Sequence, residues 1–185
     1  MATITPATID DLYGVEGKAE LVAGRIVHIM TSGDLPTEIA FEIAVRLREF
    51  AKASGRGKAY ADGLSYALAQ PLASGRQSFC PDASYYDGPA PRNRMRFVEG
   101  VPQLAVEVRS ENDYGRAAEL AMAAKRLDYF EAGTMVVWDV DPLARTIAVY
   151  RADRPESPTV YTRDDVAEAE PALPGWRLPV AELFS

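Results

Sequence analysis

The sequence predicts an α/β (α+β) fold, a mixed β-sheet flanked by helices with an N-terminal β-hairpin. Three observations carry this. Past the hairpin and a first helix, strand-like and helical patterns alternate as strand, strand, strand, helix, strand, the order of a mixed sheet covered by helices. TMVVWDVD is a nearly continuous apolar run of the kind that lies inside a sheet. TSGDLPTEIAFEIAVRLREFAKASG repeats its apolar residues at helical spacing. A chain of 185 residues fits one domain, residues 1–185, and is long enough to bury a core.

Taken in order, TIDDLYG reads as a short helical turn with Thr8 as N-cap and acids behind it. KAELVAGRIVHIM reads as a hairpin turning at Ala23-Gly24, where glycine accepts a positive φ. The amphipathic helix that follows places Ile39, Ile43, Leu47 and Phe50 on one face. Pro36 lies in its first turn and Gly55 marks its stop. KAYADGLSYALA, SFCPDASYYD and PQLAVEVRS are read as three strands. A Pro-rich, basic loop, DGPAPRNRMRFVEG, separates the last two. RAAELAMAAKRLDYFEAG is a helix of strong helix formers ending at Gly133. After TMVVWDVD, TIAVYR is a further strand, linked through Asp141 to Arg145. Strand-like PTVYT, an acidic loop and the apolar tail LPGWRLPVAELF complete the chain.

Composition narrows the chemistry. With 48% apolar and 25% charged residues, the chain has the make-up of a soluble globular protein. No apolar run approaches a membrane span, and MATITPATID lacks the basic and apolar regions of a signal peptide. A lone cysteine, Cys80, cannot form an internal disulfide, so a reducing cytoplasm is the expected location. A net charge of -7 argues against indiscriminate binding to nucleic acid, while leaving room for a local basic patch or a charge-neutralising metal. One histidine, His28, rules out His-rich metal sites and two-histidine mechanisms within one chain; it reads as a strand residue. GRGKAY around Lys58 lacks the earlier glycine of a phosphate-cradling loop, and GLSYA around Ser65 lacks the closing glycine of a nucleophile elbow. Cys80 has no evident histidine partner and reads as a small buried thiol.

The candidate site starts from QSFCPDASYY. Proline cannot donate to a strand ladder and aspartate is a poor strand former, yet Pro81-Asp82 stands at the mouth of an aromatic strand. Two readings are open, a turn that starts the strand or half of a metal site. Glu107 offers the second half. It interrupts LAVEV on the face shared with Ala105 and Arg109, where a charge is costly to bury unless paired or metal-bound. Two such carboxylates, completed by waters and a substrate phosphate, suit Mg²⁺, and Mn²⁺ can stand in for it. Lys125, set against Ala118, Ala121 and Met122 with Tyr129 one turn on, supplies a cation. Its ordinary alternative is an ion pair with Asp128. Arg116, Glu119 and Arg126 read as solvated charges. On the structural alternative, Asp82 caps a strand and Glu107 pairs with Lys125 or Arg109.

These segments resemble the PD-(D/E)XK nuclease superfamily and, more closely, the Uma-two family of restriction-type endonucleases. AELVAGR matches the family's hairpin, CPDASYY its Pro-Asp strand and LAVEVRSEN its acid strand. KRLDYFEAGTMVVWDVDP matches the helix and strand that follow, and LPGWRLPVAELF its ending. The resemblance runs from about Leu12 to Phe184. It implies a restriction-endonuclease-like fold with Asp82 and Glu107 as metal-binding acids. It also implies Lys125 as a lysine moved from the strand to the following helix, and Glu20 as a further site acid. Four departures stand out: Arg25 replaces the second hairpin acid, Ser110-Glu111 replaces a Ser-Pro, Arg109 fills the literal lysine slot, and GDLPTEIAFE lacks the helix-leading histidine common in relatives. Arginine's high pKa makes it a poor proton-transfer group.

The activity so implied is metal-dependent phosphodiester hydrolysis, with duplex DNA favoured as substrate over RNA. Arg92, Arg94 and Arg96 of RNRMR, with Arg109, are the candidate nucleic-acid contacts; a plain solvated loop is the alternative for RNRMR. A two-fold homodimer would supply two active sites, with the apolar tail and Tyr85 and Tyr86 as interface candidates, each of which is equally a candidate for the core. The rival from another class is a non-catalytic binding protein on the same scaffold, to which the acidic charge and the altered motif lend support.

Overall fold

The computed structural model describes residues 5–184; the first four residues of the stretch read for a leader lie outside them. α1 (Ile9–Leu12) is one turn, in which the Asp11 N–H donates to the Thr8 hydroxyl while the Thr8 N–H donates to the Asp11 carboxylate, a reciprocal cap. β1 (Ala19–Val22) and β2 (Arg25–His28) form the hairpin, with Ala23 and Gly24 at φ of +50° and +67° as a twist-matched two-residue turn requires. α2 (Asp34–Ser54) has Pro36 in its first turn, buries Ile39, Ile43 and Leu47, and stops at Gly55, which is left-handed with φ +67°.

β3 (Lys58–Ala61), β4 (Tyr66–Ala67), β5 (Ser78–Phe79), β6 (Ala83–Tyr86), β7 (Val98–Glu99) and β8 (Leu104–Val108) follow. Then come α3 (Arg116–Ala132), β9 (Val136–Asp141), β10 (Thr146–Arg151) and β11 (Arg154–Tyr161). β12 (Val166–Glu168), β13 (Arg177–Pro179) and a 3-10 turn at Val180–Glu182 end the chain.

The main sheet has six strands in the order β11-β10-β9-β8-β6-β3. Only the β8–β9 pair is parallel, because parallel neighbours need a long crossover and α3 provides it. Alternation along β8 sends Leu104, Val106 and Val108 to the face covered by α2 and the C-terminal tail. Ala105 joins Val137, Tyr129, Phe79 and Tyr66 on the other face. The sheet is therefore buried on both sides around its central strands, which is why TMVVWDVD is apolar almost throughout.

Two sequence expectations change. KAYADGLSYALA and SFCPDASYYD are each divided between sheets. β3 and β6 belong to the six-stranded sheet, while β4 and β5 pair with β7 in a three-stranded one. The breaks fall at Asp62-Gly63 and Pro81-Asp82, where glycine frees the backbone and proline offers no ladder donor. The interface candidates are also core. Tyr85 and Tyr86 are buried, and their hydroxyls donate to the carbonyls of Arg56 (3.0 Å) and Pro89 (3.1 Å). The tail is buried as well, with Trp176 stacked on Trp138 at a centroid distance of 5.2 Å. Apolar residues near a chain end cover the sheet here because the sheet needs a second layer on that face.

Candidate active site

The register of the main sheet lines up four carboxylates. Glu107 of β8 is paired directly with Asp139 of β9. Ala83 of β6 faces Val106, so the next residue out, Asp82, faces Glu107. Ala61 of β3 faces Ala83, so Asp62 in turn faces Asp82. Directly opposed residues on neighbouring strands project to the same side. Asp62, Asp82, Glu107 and Asp139 therefore form a row across one end of the sheet, and like charges so placed repel unless cations stand between them.

Asp82 is held from both sides. Its N–H donates to the Val106 carbonyl at 3.0 Å, its Oδ2 accepts the Val108 N–H at 2.8 Å, and its Oδ1 accepts the Lys18 ammonium at 2.8 Å. Lys18 also lies 2.6 Å from Asp62 Oδ1, so one ammonium bridges two acids of the row. Burial disfavours that ammonium, but Asp82 and Asp62 outweigh the penalty and raise its pKa above the ordinary lysine value.

Glu107 has an equivalent set of partners. Its Oε2 accepts Lys125 Nζ at 2.9 Å and its Oε1 accepts the Tyr129 hydroxyl at 2.7 Å. Both partners come from α3, one turn apart. Burial pushes the Glu107 pKa up; Lys125 opposes this, while Asp82 and Glu20 add to it.

Glu20 enters from the hairpin. It is 4% exposed, its Oε1 accepts the Cys80 N–H at 2.9 Å and lies 3.0 Å from Lys125 Nζ, and its Oε2 accepts Arg76. Burial works against its charge, yet Lys125 and Arg76 prevail and lower its pKa. The Cys80 N–H, freed where the chain leaves β5, is satisfied by this carboxylate. Lys125 is disfavoured by burial and more than compensated by Glu107 and Glu20, so its pKa stands above the ordinary value.

All four residues expected from the sequence, Glu20, Asp82, Glu107 and Lys125, thus meet in one place. They line a cleft of about 380 Å³ between the hairpin and α3, with Val27, His28 and Met122 on its walls. His28, read as an ordinary strand residue, is exposed at the end of β2 on this cleft. Cys80 is buried as expected, and burial raises its thiol pKa.

Several neighbours differ from the sequence reading. Asp128 pairs with Arg76 at 2.8 Å and leaves Lys125 to the site. Arg109 does not pair with Glu107. Its Nε and second guanidinium nitrogen donate to Asp139 at 2.7 and 2.9 Å, and it also pairs with Glu119. Arg126 is not a solvated charge but lies 3.2 Å from Asp139 and 4.0 Å from the centroid of the Tyr150 ring. Asp139 is 4% exposed, which makes two arginines the natural complement to its charge. Arg92, Arg94 and Arg96 are exposed on a loop outside the cleft lining, and Arg96 pairs with Asp10 at 2.9 Å above the Tyr13 ring.

Lys18, Asp62 and Tyr129 escaped the sequence reading as site residues. Lys18 was accessible through alternation, since it stands two residues before Glu20 and shares its face. Asp62 ends a strand run as Asp82 begins one. Their adjacency depends on a strand pairing that sequence does not reveal.

The chain belongs to the Uma2 family. The family model, described as "Putative restriction endonuclease", matches residues 7–181. Among solved structures, the chain is similar to one described as a "putative nuclease belonging to DUF820" from Anabaena variabilis, with 20% sequence identity and a TM-score of 0.74 over 97% of this chain and 98% of that one. That likeness bears out the restriction-endonuclease-like fold. Comparison with curated proteins gives no match. In this Uma2 chain the matched region contains every residue of the acid row and all the lysines that serve it.

The donor set suits a hard cation. Each oxygen of Asp82 and Glu107 accepts one protein donor and keeps a second lone pair. Among the described residues no cluster of three or more His, Cys, Asp or Glu is arranged to hold a metal ion. No helix of the described residues is long and apolar enough to cross a membrane.

Proposed function

We propose that this Uma2 protein is a metal-dependent endonuclease, a single nuclease-like domain that hydrolyses phosphodiester bonds in double-stranded DNA. The observation that carries the reading is the convergence of Asp82 and Glu107 from neighbouring strands with Lys125 2.9 Å from Glu107, all on one cleft. In the reaction one water is added across the ester. Its oxygen bonds to phosphorus, the P–O bond to one sugar breaks, and the leaving oxygen takes up a proton.

Asp82 and Glu107 would hold the divalent cation, Mg²⁺ or Mn²⁺. When bound, that ion supplies Lewis-acid polarisation and charge neutralisation. The protein's own contribution is positional and electrostatic. The Val108 N–H and the Tyr129 hydroxyl aim the two carboxylates. Glu20 helps hold Lys125 beside the cleft with its charge intact. Lys125, held 2.9 Å from Glu107 and 3.0 Å from Glu20, is the proposed donor to the phosphate oxygens or to the attacking water. The exposed Arg92 and Arg94 remain the proposed outer contacts to the nucleic-acid backbone. Arg109 contributes by closing the Asp139 end of the acid row.

Plasmid cleavage with Mg²⁺ or Mn²⁺ tests this reading. Nicking or linearisation that is lost in both Asp82→Asn and Lys125→Met, with folding retained, is the expected result. No cleavage by the native protein, or cleavage that survives both changes, would replace it with a binding protein on a nuclease scaffold. The specific observation that favours that second reading is that every acid of the row already has a cation partner.

A further inference from the structure

The two lysines at the site share one arrangement. Lys18 bridges Asp82 and Asp62, at 2.8 and 2.6 Å; Lys125 bridges Glu107 and Glu20, at 2.9 and 3.0 Å. In each case the ammonium joins one of the two proposed metal-binding acids, Asp82 or Glu107, to a second carboxylate, Asp62 or Glu20. We propose that Lys18 is a placeholder for the divalent cation at Asp82, and that Asp62 is the acid that retains its ammonium when the cation binds. The proposal rests on the metal reading above and extends it to two residues that the family resemblance did not supply.

The physical case is electrostatic. Without a cation, Asp82 faces a carboxylate on either side, Asp62 and Glu107, in register across three strands. Such opposition is destabilising unless it is neutralised, and Lys18 neutralises the Asp62–Asp82 half. A divalent ion at Asp82 competes with the ammonium for Oδ1, the oxygen that Lys18 now occupies. Expelling a half-buried lysine with no other partner would be costly, because an unpaired charge would remain in a partly desolvated position. Asp62 removes that cost. Its side chain is 50% exposed, and it already lies within ion-pair distance of Nζ. The Lys18 side chain, 16% exposed, has only to tilt from one strand's acid to the next. At the Asp139 end Arg109 likewise joins two acids, Asp139 and Glu119, but its guanidinium is held by several directed contacts at once and is less free to shift than an ammonium.

Isothermal titration with Mn²⁺ reads this directly, without nucleic acid, on the native protein and on Lys18→Met, Asp62→Asn and Asp82→Asn. Thermal melts establish that each is folded. Removing a unit positive charge a few ångströms from the ion is expected to tighten Mn²⁺ binding by on the order of tenfold in Lys18→Met. Asp62→Asn is expected to weaken it several-fold, because the ammonium then depends on Asp82 alone. Asp62 is exposed enough that this variant carries the test if Lys18→Met does not fold. Native binding that is lost in Asp82→Asn but unchanged in Lys18→Met or in Asp62→Asn overturns the placeholder and leaves the metal reading standing. Binding seen only in Lys18→Met supports it. No binding in any variant, or binding indifferent to Asp82→Asn, overturns both.

Discussion

Lys125 Nζ donates to Glu107 Oε2 at 2.9 Å, and this contact joins the crossover helix to the strand that carries the site's central acid. The same ammonium reaches Glu20 at 3.0 Å, so it neutralises one buried carboxylate and one partly exposed carboxylate from two different elements. Removing one partner of such a group leaves charge uncompensated. Lys125→Met is therefore expected to lower stability by about 3 kcal/mol, at the low end for a broken buried pair because the side chains keep some solvent contact. Urea unfolding of the variant checks this. Adding Glu107→Gln should return part of the stability and none of the cleavage, whereas a purely structural pair would lose no activity in either variant.

Tyr129 is the second donor to Glu107, at 2.7 Å, and its ring stacks on Phe79 with centroids 4.2 Å apart. Tyr129→Phe keeps the stack and removes only the hydroxyl. The expected loss is about 2 kcal/mol, the range for a hydrogen bond to a charged group. Because the donor favours the ionised carboxylate, the variant should also bind Mn²⁺ more weakly at mildly acidic pH. Equal affinity in both proteins across pH 5 to 8 would show that Tyr129 does not help set the charge of Glu107.

Three groups at the site give stability a defined pH dependence. Glu20 has a lowered folded pKa, so its contribution is present above the ordinary value of 4.5 and is lost as pH falls through the folded value. Lys125 has a raised one, so its contribution is present below 10.5 and is lost as pH rises through the folded value. Glu107 is also raised, which makes it favour folding below 4.5 and lose that contribution as pH climbs through its folded value. It faces Lys125 and Tyr129 from α3, Asp82 across the strand pair and Glu20 from the hairpin. The Glu20–Lys125 pair is thus expected to support stability between pH 4.5 and 10.5, with Glu107 subtracting just above the acid end. Unfolding free energies across this range for the native protein and for Glu20→Gln/Lys125→Met measure it, and the double variant should show a flatter profile at both ends.

Asp139 carries Arg109 and Arg126 and is almost fully buried. Asp139→Asn should cost about 3 kcal/mol, since two guanidinium groups lose their shared counter-charge. Arg109→Lys should cost stability too, because an ammonium cannot reproduce the two-point contact. If instead Arg109 serves chiefly to bind nucleic acid, Arg109→Lys would leave the unfolding curve unchanged and shift only the affinity for DNA. Comparing the two measurements on that one variant decides the matter.

The sequence by itself determined the order of the elements, the face of each long one and the residue types of the site. Helical spacing placed Ile39, Ile43 and Leu47 inward, the Ala23-Gly24 turn closed the hairpin, and the unbroken apolar run of TMVVWDVD marked a central strand. A charged Glu107 amid valines, and an Asp82 behind a proline, stood out because local patterning gave no reason for either.

What only the tertiary structure decided was adjacency. Pairing of β3 with β6, β6 with β8 and β8 with β9 lines up Asp62, Asp82, Glu107 and Asp139, residues drawn from across the chain. That row then selects the cations. Lys18 goes to Asp82, Lys125 to Glu107, and Arg109 crosses to Asp139 rather than serving the glutamate two residues before it. Periodicity reports which way a side chain points, and it is a local property. Charge pairing depends on distance between strands, which the chain sets only when it folds. The same distinction accounts for Tyr85, Tyr86 and the apolar tail, whose hydrophobicity was plain but whose partner, the sheet itself, was not.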